Sequence, residues 1–140
     1  MRGILWCIAV AAALGAAPDG AAARQSSAEP QRSARDGIYS ASLADRGEET
    51  FRRSCGACHS PAEFTGPTFE VNWGGLTAFD IFEQLRTTMP MDNPGGLTRQ
   101  EYLDVVSYLL RLNGYPAGES PLDGDDDALK RIGIPVQGGG

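Results

Sequence analysis

Three segments in the middle of the chain carry apolar residues at the three- and four-residue spacing of amphipathic helices. The first begins at Ser42, a residue type that caps helices, and continues toward Cys55. Leu43, Gly47 and Phe51 recur every four residues and therefore share one face. Because a glycine inside a helix costs about 1 kcal/mol relative to alanine, Gly47 predicts a close approach of another backbone at this point.

The second predicted helix covers residues 78–88 and stops just before Met89. Thr77 is placed to cap its first turn, and Pro90 follows shortly after its end, as is typical of helix boundaries. The apolar side of this helix consists of Phe79, Phe82 and Leu85.

The third predicted helix has the strongest signals at its ends. Residues 98–101 read T-R-Q-E, a capping box, and Leu97 and Tyr102 flank it as a hydrophobic staple. Residues 113–114 are N-G, which is typical of a helix end. The inner face carries Tyr102, Val105, Val106, Leu109 and Leu110. Since no segment shows convincing strand alternation, the predicted fold class is all-α.

The N-terminal residues have the pattern of a secretory signal peptide over 1–23. A short basic start precedes an apolar run from Ile4 to Ala17, and residues 21–23 supply an A-x-A cleavage site. The run is shorter than the roughly 20 residues that a membrane-spanning helix requires, so a permanent anchor is not expected.

The remaining chain divides into a compact middle and two softer ends. Residues 24–41 are poor in apolar side chains and are predicted to be a flexible linker. Residues 42–118 form the predicted domain, and residues 119–140 form an acidic, partly ordered tail with one helical turn near 128–134. A single apolar core of this size is usually reinforced, so the domain is expected to contain a covalent or metal staple.

Charge and residue counts exclude several classes of function. The chain has 18 Asp and Glu, 12 Lys and Arg and one His, with a net charge of −6. Nucleic-acid binding requires clustered basic residues, and this acidic chain with its single lysine does not supply them. A catalytic mechanism that needs two imidazoles is excluded as well.

Residues 55–59 read C-x-x-C-H, the pattern for covalent attachment of c-type haem. Cysteines three residues apart on a helical turn face the same way, so Cys55 and Cys58 can add to the two vinyl groups of one porphyrin. His59 follows directly and can ligate the iron. Covalent haem would be the expected staple.

Other chemistries of the same motif fit less well. A thiol-disulfide site normally lies on a thioredoxin-like sheet, and no βαβ pattern is present. Zinc requires four ligands, whereas this motif offers three adjacent ones without a partner pair. A structural disulfide over so short a loop would be strained and would stabilise little.

The haem iron needs a sixth ligand, unless the protein keeps that coordination position open. Few groups of this chain can supply the ligand. The candidates are Met89, Met91, Lys130 and an amine terminus. Met89 is the best placed, because it leaves the second helix in a loop stiffened by prolines, and a thioether there favours ferrous iron. Met91 competes only if the loop turns to present it, and both methionines could instead fill apolar gaps.

The chain resembles a small class I monohaem cytochrome c over about residues 43–118. Gly47 and Phe51 stand eight and four residues before Cys55, the spacing at which that family's first helix crosses its last, and Tyr108 matches the last helix. The resemblance implies a fold of three to four helices around one covalently bound haem.

Two further motifs extend the resemblance. Residues 66–67, G-P, resemble the Gly-Pro of the family whose proline carbonyl accepts a hydrogen bond from the proximal imidazole, which implies that Pro67 orients His59. Residues 89–95 are similar to the M-P-x-x-x-P-G segment of monohaem cytochromes associated with bacterial periplasmic, quinoprotein-type dehydrogenases, and residues 113–116 are similar to the first four positions of their N-G-x-P-x-G segment.

The function implied by this resemblance is outer-sphere electron transfer in the periplasm, without enzymatic activity. The expected partners are a dehydrogenase as donor and an oxidase or another cytochrome as acceptor, with the chain as a monomer or as a subunit of a dehydrogenase complex. Two alternatives stay open. One is a haem enzyme or sensor with an open sixth position, and the other is an electron-accepting dehydrogenase subunit whose tail after Gly118 wraps its partner.

Overall fold

A computed structural model of the protein describes residues 32–122 and 124–136. The predicted signal peptide, residues 1–23, lies outside the described residues. The described chain contains five α-helices, two very short strands and two 3-10 turns, so the predicted all-α class is confirmed. The elements are β1 (Arg32–Ser33), a 3-10 turn (Ala34–Asp36), α1 (Ala41–Ser54), a 3-10 turn (Pro61–Phe64), α2 (Gly66–Trp73), α3 (Ala78–Thr88), α4 (Arg99–Leu112), α5 (Asp126–Lys130) and β2 (Ile132–Gly133).

Helices α3 and α4 have the bounds that their capping signals predict. The Thr77 side chain accepts a hydrogen bond from the backbone N–H of Asp80, whose carboxylate accepts from Thr77 in return. Thr98 and Glu101 make the same reciprocal pair at the start of α4. Each pair satisfies backbone donors that a helix start leaves without intrahelical partners.

Helix α1 packs across α4, and this contact forms the centre of the fold. A Cβ atom placed on Gly47 would lie 2.9 Å from the Cβ of Tyr108 and would overlap the backbone carbonyl of Asp104. The close approach predicted at Gly47 is therefore present. Beside it, the Arg46 guanidinium donates to both carboxylate oxygens of the buried Asp104 at 2.9 and 3.0 Å.

The start of α1 and the existence of α2 differ from the sequence-based expectations. Helix α1 begins at Ala41, with Ser40 rather than Ser42 at the capping position. Helix α2 was not predicted, because within its eight residues only Phe69 and Trp73 are buried. One apolar pair is too little to distinguish a short helix from a loop.

The segment before α1 differs from the flexible linker predicted over 24–41. In its described part, residues 32–41, Ile38 and Tyr39 are buried. The hydroxyl of Tyr39 donates to the backbone carbonyl of Tyr115 at 2.6 Å, and β1 pairs in parallel with β2. These residues fold onto the domain through partners that lie far along the chain. Local composition does not reveal such partners, which is why the contact was not predicted.

The segment after the domain also packs against its own chain. Its buried side chains include Leu122, Leu129, Ile132 and Ile134. Ile134 exchanges backbone hydrogen bonds with the α2–α3 connection, donating to Leu76 and accepting from Gly75 at 2.8 Å each. The single turn expected near 128–134 is α5 followed by β2. Among the described residues, no helix has both the length and the apolarity to span a bilayer.

Candidate functional site

A cavity of about 770 Å³ opens between the end of α1, the end of α3 and the adjoining part of α4. Its volume lies within the range of about 300–1,000 Å³ that is typical of ligand and cofactor sites. The cavity brings together Cys55, Cys58, His59, Met89 and Met91. Its apolar wall includes Phe51, Phe64, Trp73, Leu85, Val105 and Leu109.

The C-x-x-C-H segment enters the cavity as a tight turn that continues α1. The backbone N–H of Cys55 donates to Phe51, and the N–H groups of Cys58 and His59 both donate to the carbonyl of Cys55, at 3.1 and 3.0 Å. Both cysteines are free thiols. Burial raises the pKa of the Cys55 thiol, whereas Cys58 is exposed. This turn holds the two sulfurs and the imidazole at one end of the cavity.

Glu63 is the hydrogen-bond partner of the His59 ring. Its Oε2 lies 3.2 Å from His59 Nδ1, and its Oε1 accepts from the backbone N–H of Ser60 at 2.8 Å. The pKa of the Glu63 carboxyl is lowered, chiefly by that backbone hydrogen bond and then by the one to His59. Glu63 is not among the residues predicted from the sequence, although residues 60–63 read S-P-A-E and carry a capping-box signal directly after the motif.

Pro67 does not line this cavity. It lies in the first turn of α2 and lines a second cavity, of about 620 Å³, instead. The preceding Gly66 donates its backbone N–H to the side chain of Asn113 at 3.0 Å, which ties the start of α2 to the end of α4. In this structure the Nδ1 contact that the resemblance assigned to Pro67 is made by Glu63.

Met89 is held more firmly at the cavity than Met91. Its backbone N–H donates to the carbonyl of Leu85 at 2.9 Å, and its own carbonyl accepts from the Tyr102 hydroxyl at 2.7 Å. Met91 is 77% exposed. The third side-chain candidate, Lys130, lies over the ring of Phe79 and does not line the cavity. The geometry thus favours Met89 among the three side chains.

Two polar side chains of the cavity wall, Trp73 and Arg53, have partners that fix them. The indole N–H of Trp73 donates to the Gln84 side chain at 2.9 Å. At the rim, Arg53 forms an ion pair with Glu101 at 2.8 Å. In residues 32–122 and 124–136, no group of three or more His, Cys, Asp or Glu side chains is arranged so that it could hold a metal ion.

Comparison with known proteins points to one class. Residues 42–109 match the family described as cytochrome c oxidase, cbb3-type, subunit III. This match supports a c-type cytochrome. The matched range contains the C-x-x-C-H turn and most of α4, and the helical architecture is that of a small all-α cytochrome c fold. No curated protein and no solved structure matched the chain.

The residues at the cavity fit the haem that this family implies. Two free thiols three residues apart can form the two thioether bonds, and a neighbouring imidazole and a thioether supply nitrogen and sulfur ligands for iron. The largely apolar wall suits a porphyrin plane. The candidate haem ligands and the apolar wall thus meet in one cavity, between the end of α1, the end of α3 and part of α4.

Proposed function

We propose that this protein is a periplasmic electron carrier that would hold one haem c through Cys55 and Cys58, with His59 and Met89 as the ligands of its iron. The observation that carries the proposal is the convergence of these four side chains on one apolar cavity. When bound, haem supplies a one-electron ferric/ferrous couple. Both ligands are held by backbone hydrogen bonds, which limits the rearrangement that accompanies electron transfer.

The surface around the cavity suits brief encounters with redox partners. Arg52 and Arg53 lie beside the motif, but each forms an ion pair with a carboxylate, Glu49 and Glu101 respectively. Weak redox complexes bury little area and depend on such charges. The donor we propose is a periplasmic dehydrogenase, and the description of the matched family favours an oxidase as the class of acceptor.

The alternative of a tightly held dehydrogenase subunit loses one of its arguments. In that alternative, the segment after Gly118 wraps around the partner. Four apolar residues of this segment are buried against the chain itself, and Tyr115 donates its hydroxyl to the carbonyl of Pro135 at 2.7 Å. A free carrier is therefore the proposal we favour.

The test is to produce the full chain in a host that attaches c-type haem. We expect the mass of the polypeptide to increase by one haem and the protein to be coloured. The matched control is the double variant Cys55→Ala and Cys58→Ala, which should lack the added mass. A wild-type protein that is colourless and has only the mass of its amino acids would contradict the proposal. Rapid binding of carbon monoxide or cyanide would instead favour a sensor or an enzyme.

Tyr102→Phe is expected to loosen the Met89 segment without unfolding the protein. The substitution removes the hydroxyl that donates to the Met89 carbonyl, a hydrogen bond that contributes about 1 kcal/mol. Opening of the segment should become about fivefold more frequent. The rate of cyanide binding to the ferric protein measures this opening.

The control for this measurement is Tyr108→Phe. Tyr108 packs on Phe51 at the crossing of α1 and α4, away from the Met89 carbonyl. Removal of the Tyr108 hydroxyl should leave the rate of cyanide binding unchanged. Equal rates in the wild type and in Tyr102→Phe would show that this hydrogen bond does not restrain the segment.

A further inference from the structure

We propose that Glu63 is the positioning residue for His59, and that its carboxylate lowers the reduction potential of the bound haem. This inference rests on the proposed function. It assigns to an acidic side chain the task that the resemblance to cytochromes c gives to the backbone carbonyl of Pro67. The consequence is an electronic difference, because a carboxylate is a charged acceptor and a carbonyl is a neutral one.

The carboxylate of Glu63 is fixed at both oxygens. Oε1 accepts from the backbone N–H of Ser60 at 2.8 Å, and Oε2 lies 3.2 Å from His59 Nδ1. The 3-10 turn Pro61–Phe64 places Glu63 four residues after the histidine. The glutamate side chain is thus already oriented by the backbone of its own turn, and only one oxygen is left for the imidazole.

A second contact restrains the imidazole ring. The ring of Phe64 packs edge-on against that of His59, with 5.5 Å between their centroids. Phe64 also stacks on Trp73 in the wall of the cavity. With Nδ1 directed at Glu63 and one ring side covered by Phe64, Nε2 is the nitrogen left for iron.

A carboxylate that accepts the Nδ1 proton raises the basicity of a ligating imidazole. A more basic ligand stabilises ferric over ferrous iron, so the potential falls. Charge-assisted hydrogen bonds are roughly twice as strong as neutral ones. Replacement by a neutral acceptor should therefore raise the potential, even if the hydrogen bond itself is retained.

Glu63→Gln is the variant that isolates this effect. Glutamine at the third position of a capping box can still reach back to the backbone of Ser60, so the turn should be preserved. We expect the ratio of ferrous to ferric protein at a fixed ambient potential to rise about tenfold, since loss of a hydrogen-bond partner of a metal ligand typically changes metal affinity by about 10–100-fold. For a one-electron couple this corresponds to about 59 mV.

Glu119→Gln is the matched control, since Glu119 is exposed and does not line the cavity, and the substitution changes the net charge by the same amount. A shift confined to Glu63→Gln supports the inference. Equal shifts in both variants, or no shift in either, would overturn it, because the charge would then act at a distance or not at all. If no haem is attached to the wild-type chain, the mass measurement shows that the proposed function itself has failed.

Discussion

Met89→Ala is expected to lower the reduction potential and to abolish the weak far-red sulfur-to-iron band of the ferric protein. A thioether ligand favours ferrous iron, and alanine has no atom that can replace it. Axial ligands set haem potentials over a range of about 0.8 V, so the fall should be a substantial fraction of that range. Potentiometry and the absorption spectrum of the ferric protein measure the two effects.

Met91→Ala is the control for this substitution, because it removes the same side chain two residues further along. The Met91 side chain is 77% exposed, whereas the Met89 backbone is bonded on both sides, to Leu85 and Tyr102. The band and the potential should therefore remain nearly unchanged in Met91→Ala. The opposite pair of results would assign the sixth ligand to Met91, and no change in either variant would favour an open sixth position.

The elements that the sequence predicted well are those with local signals. Helices α3 and α4 begin at capping boxes centred on Thr77 and Thr98, and both were predicted with their observed starts. Gly47 likewise predicts the helix crossing, because the free-energy cost of a glycine within a helix otherwise has no explanation. These features depend on residues within a few positions of one another.

The features that were missed depend on contacts between distant parts of the chain. The buried Tyr39 donates its hydroxyl to the carbonyl of Tyr115. The residues around Tyr39 in the sequence do not indicate that partner. At the site, the C-x-x-C-H motif indicated which residues act, but not which group faces Nδ1 of His59. Glu63 is local and could have been found from its capping box, whereas the hydrogen bond from Gly66, the residue before Pro67, to Asn113 joins distant parts of the chain.

Gly47→Ala is expected to destabilise the protein by about 2 kcal/mol or more, although alanine is the better helix former. The added methyl group would overlap the Asp104 carbonyl and lie 2.9 Å from the Cβ of Tyr108. Backbone atoms in the middle of α4 have no room to move aside, and overpacking of this kind costs about 1–3 kcal/mol or more. The midpoint of thermal unfolding should fall by about 8–16 °C.

The control is Glu49→Ala on the exposed side of the same helix, for which a change within about 0.5 kcal/mol is expected. Thermal unfolding of the haem-loaded chains, followed by circular dichroism, compares the two variants. A Gly47→Ala protein as stable as the wild type would show that α1 and α4 can separate freely.

The position of Gly47 also connects stability with the site. Helix α1 ends immediately before Cys55, while α4 contributes Val105 and Leu109 to the cavity wall. A methyl group that pushes the two helices apart therefore moves the cysteine end of the cavity relative to its apolar side. We expect Gly47→Ala to weaken the far-red band as well as to lower the unfolding midpoint, because Met89 is held by Tyr102 of the displaced helix. Loss of stability with an intact band would mean that the cavity is held by the motif turn and the Met89 segment independently of the helix crossing.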